Sequence, residues 1–366
     1  MSRKTATGKP AKARVRKPAP RPARGVGTRQ ANAGQDAVQR EAVESAPKGV
    51  LQGVLWVTVD EDNHGQRLDN FLLAQLRGVP RSIIYRMVRK GEVRVNKGRV
   101  KPDTRITTGD LVRIPPVIRK EKAPQTAPGS RIQGVVEAAV VFENDQMLVV
   151  NKPSGIAVHG GSGLSFGLIE VLRSARPEAR FLELVHRLDR DTSGLVMIAK
   201  KRSALRYLQD ELRQRRIRKQ YHALVAGDWP DRLGRVDEPL LRYEMANGER
   251  RVRVDEAGKA SLTTFRCLGR YKGYSLVEAS PVTGRTHQIR VHCVCAGHPI
   301  AGDDKYMDDV SLKAFRAVGG QRLMLHARAL EIALPVTGEA VRFEAPYDDV
   351  FGHVLSRLEV RAAGAS

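Results

Sequence analysis

Long apolar runs are missing from this chain of 366 residues. Residues 195–199 are typical of its longest uninterrupted stretches, far below the roughly 18 residues that cross a bilayer as a helix. The sequence therefore predicts a soluble chain without a membrane partner.

Cysteine is also scarce, with three residues at positions 267, 293 and 295. This number and clustering exclude a disulfide framework and suit a reducing compartment. The N-terminus lacks an apolar secretory core, and although it is Arg-rich like a transit peptide, prolines interrupt it. We expect a cytoplasmic protein.

Acidic residues are few relative to basic ones: 40 Asp and Glu stand against 63 Lys and Arg, a formal net charge of +23. Ten basic residues and no acidic ones lie within the first 34 positions, yet the positive excess continues through the remainder. A charge that serves only solubility is one explanation, but such an excess is more typical of phosphate binding. Nucleic acid is the leading candidate partner.

The first fifty residues consist mainly of Ala, Pro, Lys, Arg, Gly and Gln. This composition buries too little apolar surface to offset the entropy of ordering the chain. We predict a disordered basic arm at residues 1–50 and a short tail at residues 358–366.

Residues 51–116 predict a small domain of two helices and two short strands. Apolar residues recur with helical spacing at 68, 71, 72 and 76, and again at 83, 84, 87 and 88. Gly91 follows the second segment as a helix end, and residues 93–95 and 111–114 read as strands. With the letters RLD at 67–69 and GEV at 91–93, this region resembles an S4 RNA-binding domain.

The S4 resemblance implies an RNA-binding helix. Four cations on or beside the second helix are candidates to contact phosphates without reading bases, the alternative being a solvated basic face. These residues are Arg81, Arg86, Arg89 and Lys90.

A second domain is predicted after a connection. Residues 117–133 are rich in Pro, Lys and small polar residues, which is typical of a flexible linker. From 134 to 357, apolar runs alternate with turns and a few helical patterns, which indicates an α+β domain.

Two segments of this domain carry the charge pattern on which the functional prediction depends. Residues 186–194 read HRLDRDTSG and place Asp189 in a polar loop before an apolar strand. Residues 283–290 read TGRTHQIR, with Thr286 as a plausible N-cap of a helix that ends near Gly297. Cations beside a carboxylate favour its ionised form, although such an aspartate alone is usually half of a structural ion pair.

Together these segments resemble the signature of the RluA-type pseudouridine synthases, and the chain from about 55 to 355 is similar to their RluC-like branch. The resemblance implies an α+β fold with a large mixed, mostly antiparallel sheet and a central RNA-binding cleft. It also implies isomerisation of uridine to pseudouridine in large-subunit ribosomal RNA, with no cofactor and no metal. We further expect a monomer.

The resemblance assigns the catalytic role to Asp189, with Asp191 as its rival. Asp189 either attacks the sugar or abstracts a sugar proton to give a glycal, and both routes are open. Arg290 is the implied ion-pair partner of Asp189, and Tyr221 of the KQY at 219–221 is implied to stack on the uracil, with core packing as the alternative.

Two more arginines complete the candidate substrate contacts. Arg187 matches a position that fills the stack vacated by the flipped nucleotide, with an ordinary ion pair as the alternative. Arg285 serves the same pocket or an RNA phosphate, unless its role is structural.

Other motifs point to different chemistry but lack what it requires. The His and Cys residues within 287–298 do not have zinc-site spacing, and the HGGSG at 159–163 lacks the Lys-Ser/Thr ending of a phosphate loop. Asp303 and Asp304 fit a structural turn better than a magnesium site, and Ser193 has no base at a recognisable spacing.

Two further functions are open. One is a non-catalytic RNA-binding factor of ribosome assembly, against which the joint presence of Asp189, Tyr221 and Arg290 argues. The other is an RNA N-glycosylase, which an unchanged RNA mass after reaction would exclude.

Deleting residues 1–50 is expected to weaken RNA affinity and to leave the chemical step unchanged, because the cations of this segment neutralise RNA phosphates away from the reacting uridine. RNA binding at several salt concentrations, with single-turnover pseudouridine formation at saturating protein, measures both. Equal affinity of the truncated and full chains at low salt would contradict the prediction.

Overall fold

The computed structural model describes residues 50–51, 53–76, 78–119, 128–160 and 166–360. The predicted basic arm lies outside these ranges except for Val50, as do residues 361–366 of the predicted tail. No helix within the described ranges is long and apolar enough to cross a membrane.

The N-terminal part packs two short helices on a four-stranded antiparallel sheet. In chain order its elements are β1 (Val50–Leu51), β2 (Leu55–Thr58), a 3-10 turn (Glu61–Asn63), α1 (Leu68–Gln75), α2 (Arg81–Lys90), β3 (Arg94–Val95), β4 (Gly98–Arg99), β5 (Leu111–Ile114) and β6 (Ile118–Arg119). The sheet has the order β2-β5-β3-β4, and β1 pairs separately with β6.

Both helices bury the faces that their apolar spacing predicts. Leu68, Phe71 and Leu72 of α1 and Ile84, Met87 and Val88 of α2 belong to one core cluster. Gly91 ends α2 at φ +72, a left-handed conformation that glycine adopts without a steric penalty. The two predicted helices are confirmed.

The RLD sequence of this part has a structural reason. The buried carboxylate of Asp69 accepts hydrogen bonds from the guanidinium of Arg67 at 2.8 Å and from the hydroxyl of Tyr85 at 2.7 Å. These bonds lower the pKa of Asp69 to about 2. The carboxylate thus joins the start of α1 to the middle of α2.

Both ends of the predicted linker, residues 117–133, belong to regular elements, and residues 120–127 lie outside the described ranges. Its first residues form β6, and its last residues begin helix α3 (Ser130–Ala138). Val136 of α3 is fully buried in the core of the second part. Composition indicated a linker because it does not reveal this tertiary packing.

The second part is built on a large sheet with helices around it. In chain order its remaining elements are β7 (Val140–Glu143), β8 (Met147–Lys152), α4 (Leu168–Ala175), β9 (Glu183–Leu184), β10 (Ser193–Ala199), α5 (Arg202–Arg213), β11 (Arg218–Ala226), β12 (Arg235–Asp237), β13 (Leu240–Glu244), β14 (Arg250–Val254), β15 (Leu262–Tyr271), β16 (Tyr274–Pro281), α6 (Gln288–Cys295), α7 (Asp309–Ala317), β17 (Leu325–Ala333), β18 (Ala340–Glu344) and α8 (Asp349–Arg357).

Ten strands of the described residues form this sheet, in the order β12-β15-β16-β11-β17-β10-β8-β7, with β18 beside β17 and β9 beside β10. Every pairing is antiparallel except the one between β10 and β17. Strands β13 and β14 form a separate hairpin. The predicted α+β fold with a mixed, mostly antiparallel sheet is confirmed.

The central strands are buried on both faces. Along β10, Val196 and Ile198 join one core cluster with α4, α7 and α8, while Leu195 and Met197 join a second cluster with α5. Alternate residues of a strand point to opposite faces, so a continuous apolar run supplies both cores.

The contact between β10 and β17 fixes the start of β10. Gly194 pairs with Ala327, and Ala327 pairs on its other side with Tyr221 of β11. Gly194 has φ +105, and a Cβ placed there would lie 2.4 Å from the carbonyl oxygen of Ala327. The end of the loop before β10 is therefore held one strand away from Tyr221 by a contact that only glycine permits.

Replacing Gly194 by alanine is expected to lower the free energy of unfolding by roughly 2–5 kcal/mol, because backbone strain adds to an overlap with backbone atoms. Urea unfolding of purified protein measures the change. Gly352→Ala in α8 is the control, since no atom lies within 4 Å of its added Cβ and alanine favours a helix. Equal stability of Gly194→Ala and the wild type would contradict the close contact.

Candidate active site

A cavity of about 650 Å³ opens where the loop before β10 meets the segment before α6. Strands β11, β16 and β17 also contribute lining residues, so the cavity lies over the middle of the sheet. Among the described residues that line it, Asp189 is the one acidic side chain. The cationic lining residues are Arg187, Arg213, Arg215, Lys219, Arg285 and Arg290.

Asp189 lies in this cavity with its side chain 22% exposed. Its Oδ2 is 3.4 Å from Nη1 of Arg290 and 3.8 Å from Nε2 of His287. The predicted contact between Asp189 and Arg290 is thus present. The neighbouring Arg190 forms an ion pair with Asp191 at 3.0 Å.

Arg290 is positioned by a buried carboxylate. Its Nε and Nη2 donate hydrogen bonds of 2.7 and 2.6 Å to the two oxygens of Asp303, whose side chain is fully buried. Burial opposes the charge of the guanidinium, but the hydrogen bonds and the negative charges of Asp303 and Asp189 outweigh it and raise the pKa of Arg290. The third nitrogen, Nη1, is thereby directed at Asp189.

Asp303 was interpreted as part of a turn, and that interpretation was incomplete. The turn exists, since the backbone N–H of Met307 donates to the carbonyl of Asp303. The carboxylate of Asp303, however, belongs to the site through Arg290. No charge pattern reveals this, because many other acidic residues lie at a similar distance from an arginine.

His287 begins the helix that carries Arg290. Helix α6 starts at Gln288 with His287 as its N-cap residue at φ +52, so the N-cap prediction for Thr286 was wrong. The side chain of Gln288 accepts from the hydroxyl of Thr283 and the backbone N–H of Arg285, which closes the preceding turn. The left-handed conformation of His287 is strained for a residue other than glycine and is of the kind that occurs at functional sites.

Two neighbours of His287, Asp189 and Tyr306, favour one position for the proton of its ring. The hydroxyl oxygen of Tyr306 accepts from the backbone N–H of Val252 at 3.0 Å and lies 2.7 Å from Nδ1 of His287. A carboxylate only accepts, so Oδ2 of Asp189, 3.8 Å from Nε2, favours the proton of a neutral imidazole on Nε2, and the Tyr306 hydroxyl can then donate to Nδ1. Burial lowers the pKa of His287, so the neutral ring directs an N–H towards Asp189.

Tyr221 forms part of the cavity wall. It is buried on β11, and burial, helped by the negative charge of Asp189, raises the pKa of its phenol. The ring therefore stays neutral at ordinary pH and presents an aromatic surface near the carboxylate. Lys219, two residues earlier on the same strand, also lines the cavity, and burial lowers its pKa.

Arg187 and Arg285 lie at the cavity as exposed side chains. Neither forms an ion pair with any residue in the described ranges. Arg285 is oriented by one hydrogen bond, from its Nε to the carbonyl of Ala260 at 3.1 Å. Both guanidinium groups thus keep donors available for a ligand.

Lys152 supports the loop that carries Asp189 and was missed by the sequence reasoning. Its Nζ is fully buried and donates to the carbonyl oxygens of Pro153, Ile156 and Arg190. Burial lowers the pKa of Lys152 to about 7. The bond to Arg190 ties β8 to the residue that follows Asp189.

The motifs that suggested other chemistry have structural partners. His292 is buried with Nδ1 2.8 Å from Oγ1 of Thr263, and His298 has Nδ1 2.8 Å from the carbonyl oxygen of Ala226. Within the described ranges no three His, Cys, Asp or Glu side chains are grouped as metal ligands. The absence of a bound metal stays a prediction. Ser193 is buried at the start of β10 with Oγ 2.9 Å from Nδ1 of His326.

The four candidate cations of the N-terminal part, Arg81, Arg86, Arg89 and Lys90, are exposed on α2. They form no ion pair with the described residues. The helix therefore presents four cations to solvent without ion-pair partners among the described residues.

Comparisons with known proteins agree with this architecture. Residues 146–294 match the RNA pseudouridylate synthase family, and residues 66–112 match the S4 domain. A ribosomal large subunit pseudouridine synthase C from Pasteurella multocida is 54% identical over 313 residues, 85% of this chain and 96% of the relative. The protein of the same name from Escherichia coli K12 is 54% identical over 306 residues, 82% of this chain and 96% of the relative.

Solved structures give the same result at greater distance. Human RNA pseudouridylate synthase domain containing 4 superposes with a TM-score of 0.54 at 27% identity, covering 63% of this chain and 97% of the human one. The resemblance predicted from the two charged segments is confirmed. The chain belongs to the RNA pseudouridylate synthase family, with an S4 domain before its synthase domain.

Proposed function

We propose that this protein isomerises specific uridines to pseudouridine in large-subunit ribosomal RNA, as the name of its relatives states for them. The observation that carries the proposal is a single acidic side chain, Asp189, in a cationic cavity with a fixed arginine beside it. The volume of this cavity, about 650 Å³, lies within the range of roughly 300–1,000 Å³ typical of small-ligand sites, so a flipped nucleotide fits.

The roles follow from the position of each side chain. Asp189 acts on the sugar, either by attack at C1′ or by removal of a sugar proton, while Arg290 and His287 orient its carboxylate. Tyr221 stacks on the extruded uracil, and Arg187 and Arg285 bind the RNA around it. The N1–C1′ bond breaks, the uracil rotates, and C5 bonds to C1′ while the proton lost from C5 is balanced by one gained at N1.

We further propose that the S4 part, residues 51–116, positions the RNA through the cations of α2, and that the catalytic part extends from α3 to residue 357. Phosphate contacts of this kind fix register without reading sequence. A cytoplasmic location and a monomeric state complete the proposal. They rest on the absence of apolar runs and on the charge of the chain.

Asp189→Asn is expected to abolish pseudouridine formation in unmodified ribosomal RNA, because the amide neither attacks the sugar nor accepts its proton. Carbodiimide adducts mapped by primer extension, without added metal or cofactor, measure the product and name the target uridines. Asp191→Asn is the matched control and should keep activity within about threefold, since Asp191 pairs with Arg190.

Two outcomes would overturn the proposed function. If folded wild-type protein binds the RNA but forms no pseudouridine, the chain is a binding factor of ribosome assembly. If the RNA loses the mass of a base, the chain is an N-glycosylase. Full activity of Asp189→Asn would instead remove Asp189 from the catalytic role alone.

Tyr306→Phe is expected to lower kcat about tenfold with little change in KM. Without the hydroxyl, Nδ1 of His287 loses its donor and the ring is free to turn an unprotonated Nε2 towards the carboxylate; a change of about 1.4 kcal/mol is a tenfold effect. Single-turnover kinetics give the rate, and imidazole ¹⁵N shifts report the tautomer. Tyr243→Phe, which removes the hydroxyl of a half-buried tyrosine of the nearby hairpin, is the control. An unchanged rate and tautomer would contradict the proposed relay.

A further inference from the structure

A second cavity, of about 350 Å³, lies directly beside the active-site cavity. We call it the hairpin cavity, because the β13–β14 hairpin and the loop that follows it form one side. The other side consists of Gly284, Arg285 and Thr286, which also line the active-site cavity. One short stretch of chain therefore separates the two spaces.

The hairpin region is rich in arginine, and most of these arginines form ion pairs. Arg250 pairs with Glu244 at 3.6 Å, and two further pairs join Arg251 to Glu249 and Arg253 to Asp255. These side chains have carboxylates that balance their charge. They explain the basic composition of the hairpin without reference to a ligand.

The cations that line the hairpin cavity are different. Arg242, Lys259 and Arg285 are exposed, and none forms an ion pair with any residue in the described ranges. Three positive charges around one small space repel each other, and an anionic ligand would relieve that repulsion. The cavity carries no acidic side chain among its described lining residues.

The hairpin is also fixed relative to the catalytic carboxylate. Leu240 and Val252 are buried in a small cluster with Val291 of α6, and Arg251 donates from Nη1 to the carbonyl of Lys305 at 2.7 Å. The backbone N–H of Val252 holds the Tyr306 hydroxyl that contacts His287. A ligand in the hairpin cavity would thus lie at a set distance from Asp189.

We propose that the hairpin cavity binds the nucleotide next to the target uridine, and this inference rests on the proposed function. Arg242, Lys259 and Arg285 bind its phosphate, and the apolar wall that includes Leu241 receives its base or ribose. Because Arg285 borders both cavities, one phosphodiester link bridges them across the 284–286 segment. The site fixes which nucleotide enters the active-site cavity.

The double variant Arg242→Ala/Lys259→Ala tests the site. With a ribosomal RNA fragment that contains a mapped target uridine, we expect KM to rise about tenfold and the single-turnover rate at saturating protein to stay unchanged. The slope of log affinity against log salt should fall by about 1 to 2, as for the loss of two contacts to single-stranded phosphate. Both side chains are exposed, so the variant should fold.

The matched control is Arg250→Ala/Arg253→Ala. It also removes two positive charges from this region, but at positions that already have carboxylate partners, and its KM should change less than threefold. An equal loss in both double variants would reduce the effect to general charge and overturn the site. A KM of the Arg242→Ala/Lys259→Ala variant equal to that of the wild type would also overturn the proposed site.

A methylphosphonate substituted at each linkage beside the target uridine locates the contact. At one of the two linkages the neutral group should weaken binding to the wild type and have no further effect on Arg242→Ala/Lys259→Ala. Equal effects on both proteins at both linkages would overturn the inference, while wild-type pseudouridine formation would still support the proposed function. A wild type that forms no pseudouridine would overturn both.

Discussion

The buried pair between Arg290 and Asp303 is the constraint on which the site depends. Removing two charges from water is costly, and the cost is offset only where geometry is close to ideal. Here both oxygens of Asp303 accept from the guanidinium of Arg290. The guanidinium therefore has one orientation, with Nη1 left for another partner. That nitrogen faces Asp189, so the carboxylate of Asp189 is positioned, through Arg290, by the carboxylate of Asp303.

The sheet supplies the second condition, a fixed position for the loop that carries Asp189. Tyr221 and Gly194 lie on opposite sides of Ala327, and no residue other than glycine fits at 194 without overlap. Lys152 holds the loop from the opposite side through the carbonyl of Arg190. The position of the loop is therefore fixed at its end and at its middle, while the side chain of Asp189 remains 22% exposed and accessible to a ligand in the cavity.

Much of the fold could be predicted from the sequence, because strands buried on both faces require continuous apolar runs and helices on a core require periodic ones. The contact of Asp189 with Arg290, two residues 101 positions apart, was implied by the family resemblance of the segments that carry them. Asp303 and the tautomer of His287 were not, since both follow from how a turn and a hairpin pack after folding. The N-cap at 286 failed for the same reason: a glutamine side chain closes that turn.

Ion pairing separates two uses of arginine in this basic chain. Arg176, for example, pairs with Glu137 and Glu143 and so joins α3 and β7 to the end of α4, which is a contribution to the fold. Arg187 at the cavity and Arg86 on α2 have no such partner among the described residues. On the proposed function, phosphates take the place of the missing carboxylates. The cations without carboxylate partners are then neutralised only when RNA is bound. The affinity of the protein for RNA should therefore depend on salt, and its choice of uridine should depend on the few cations next to Asp189.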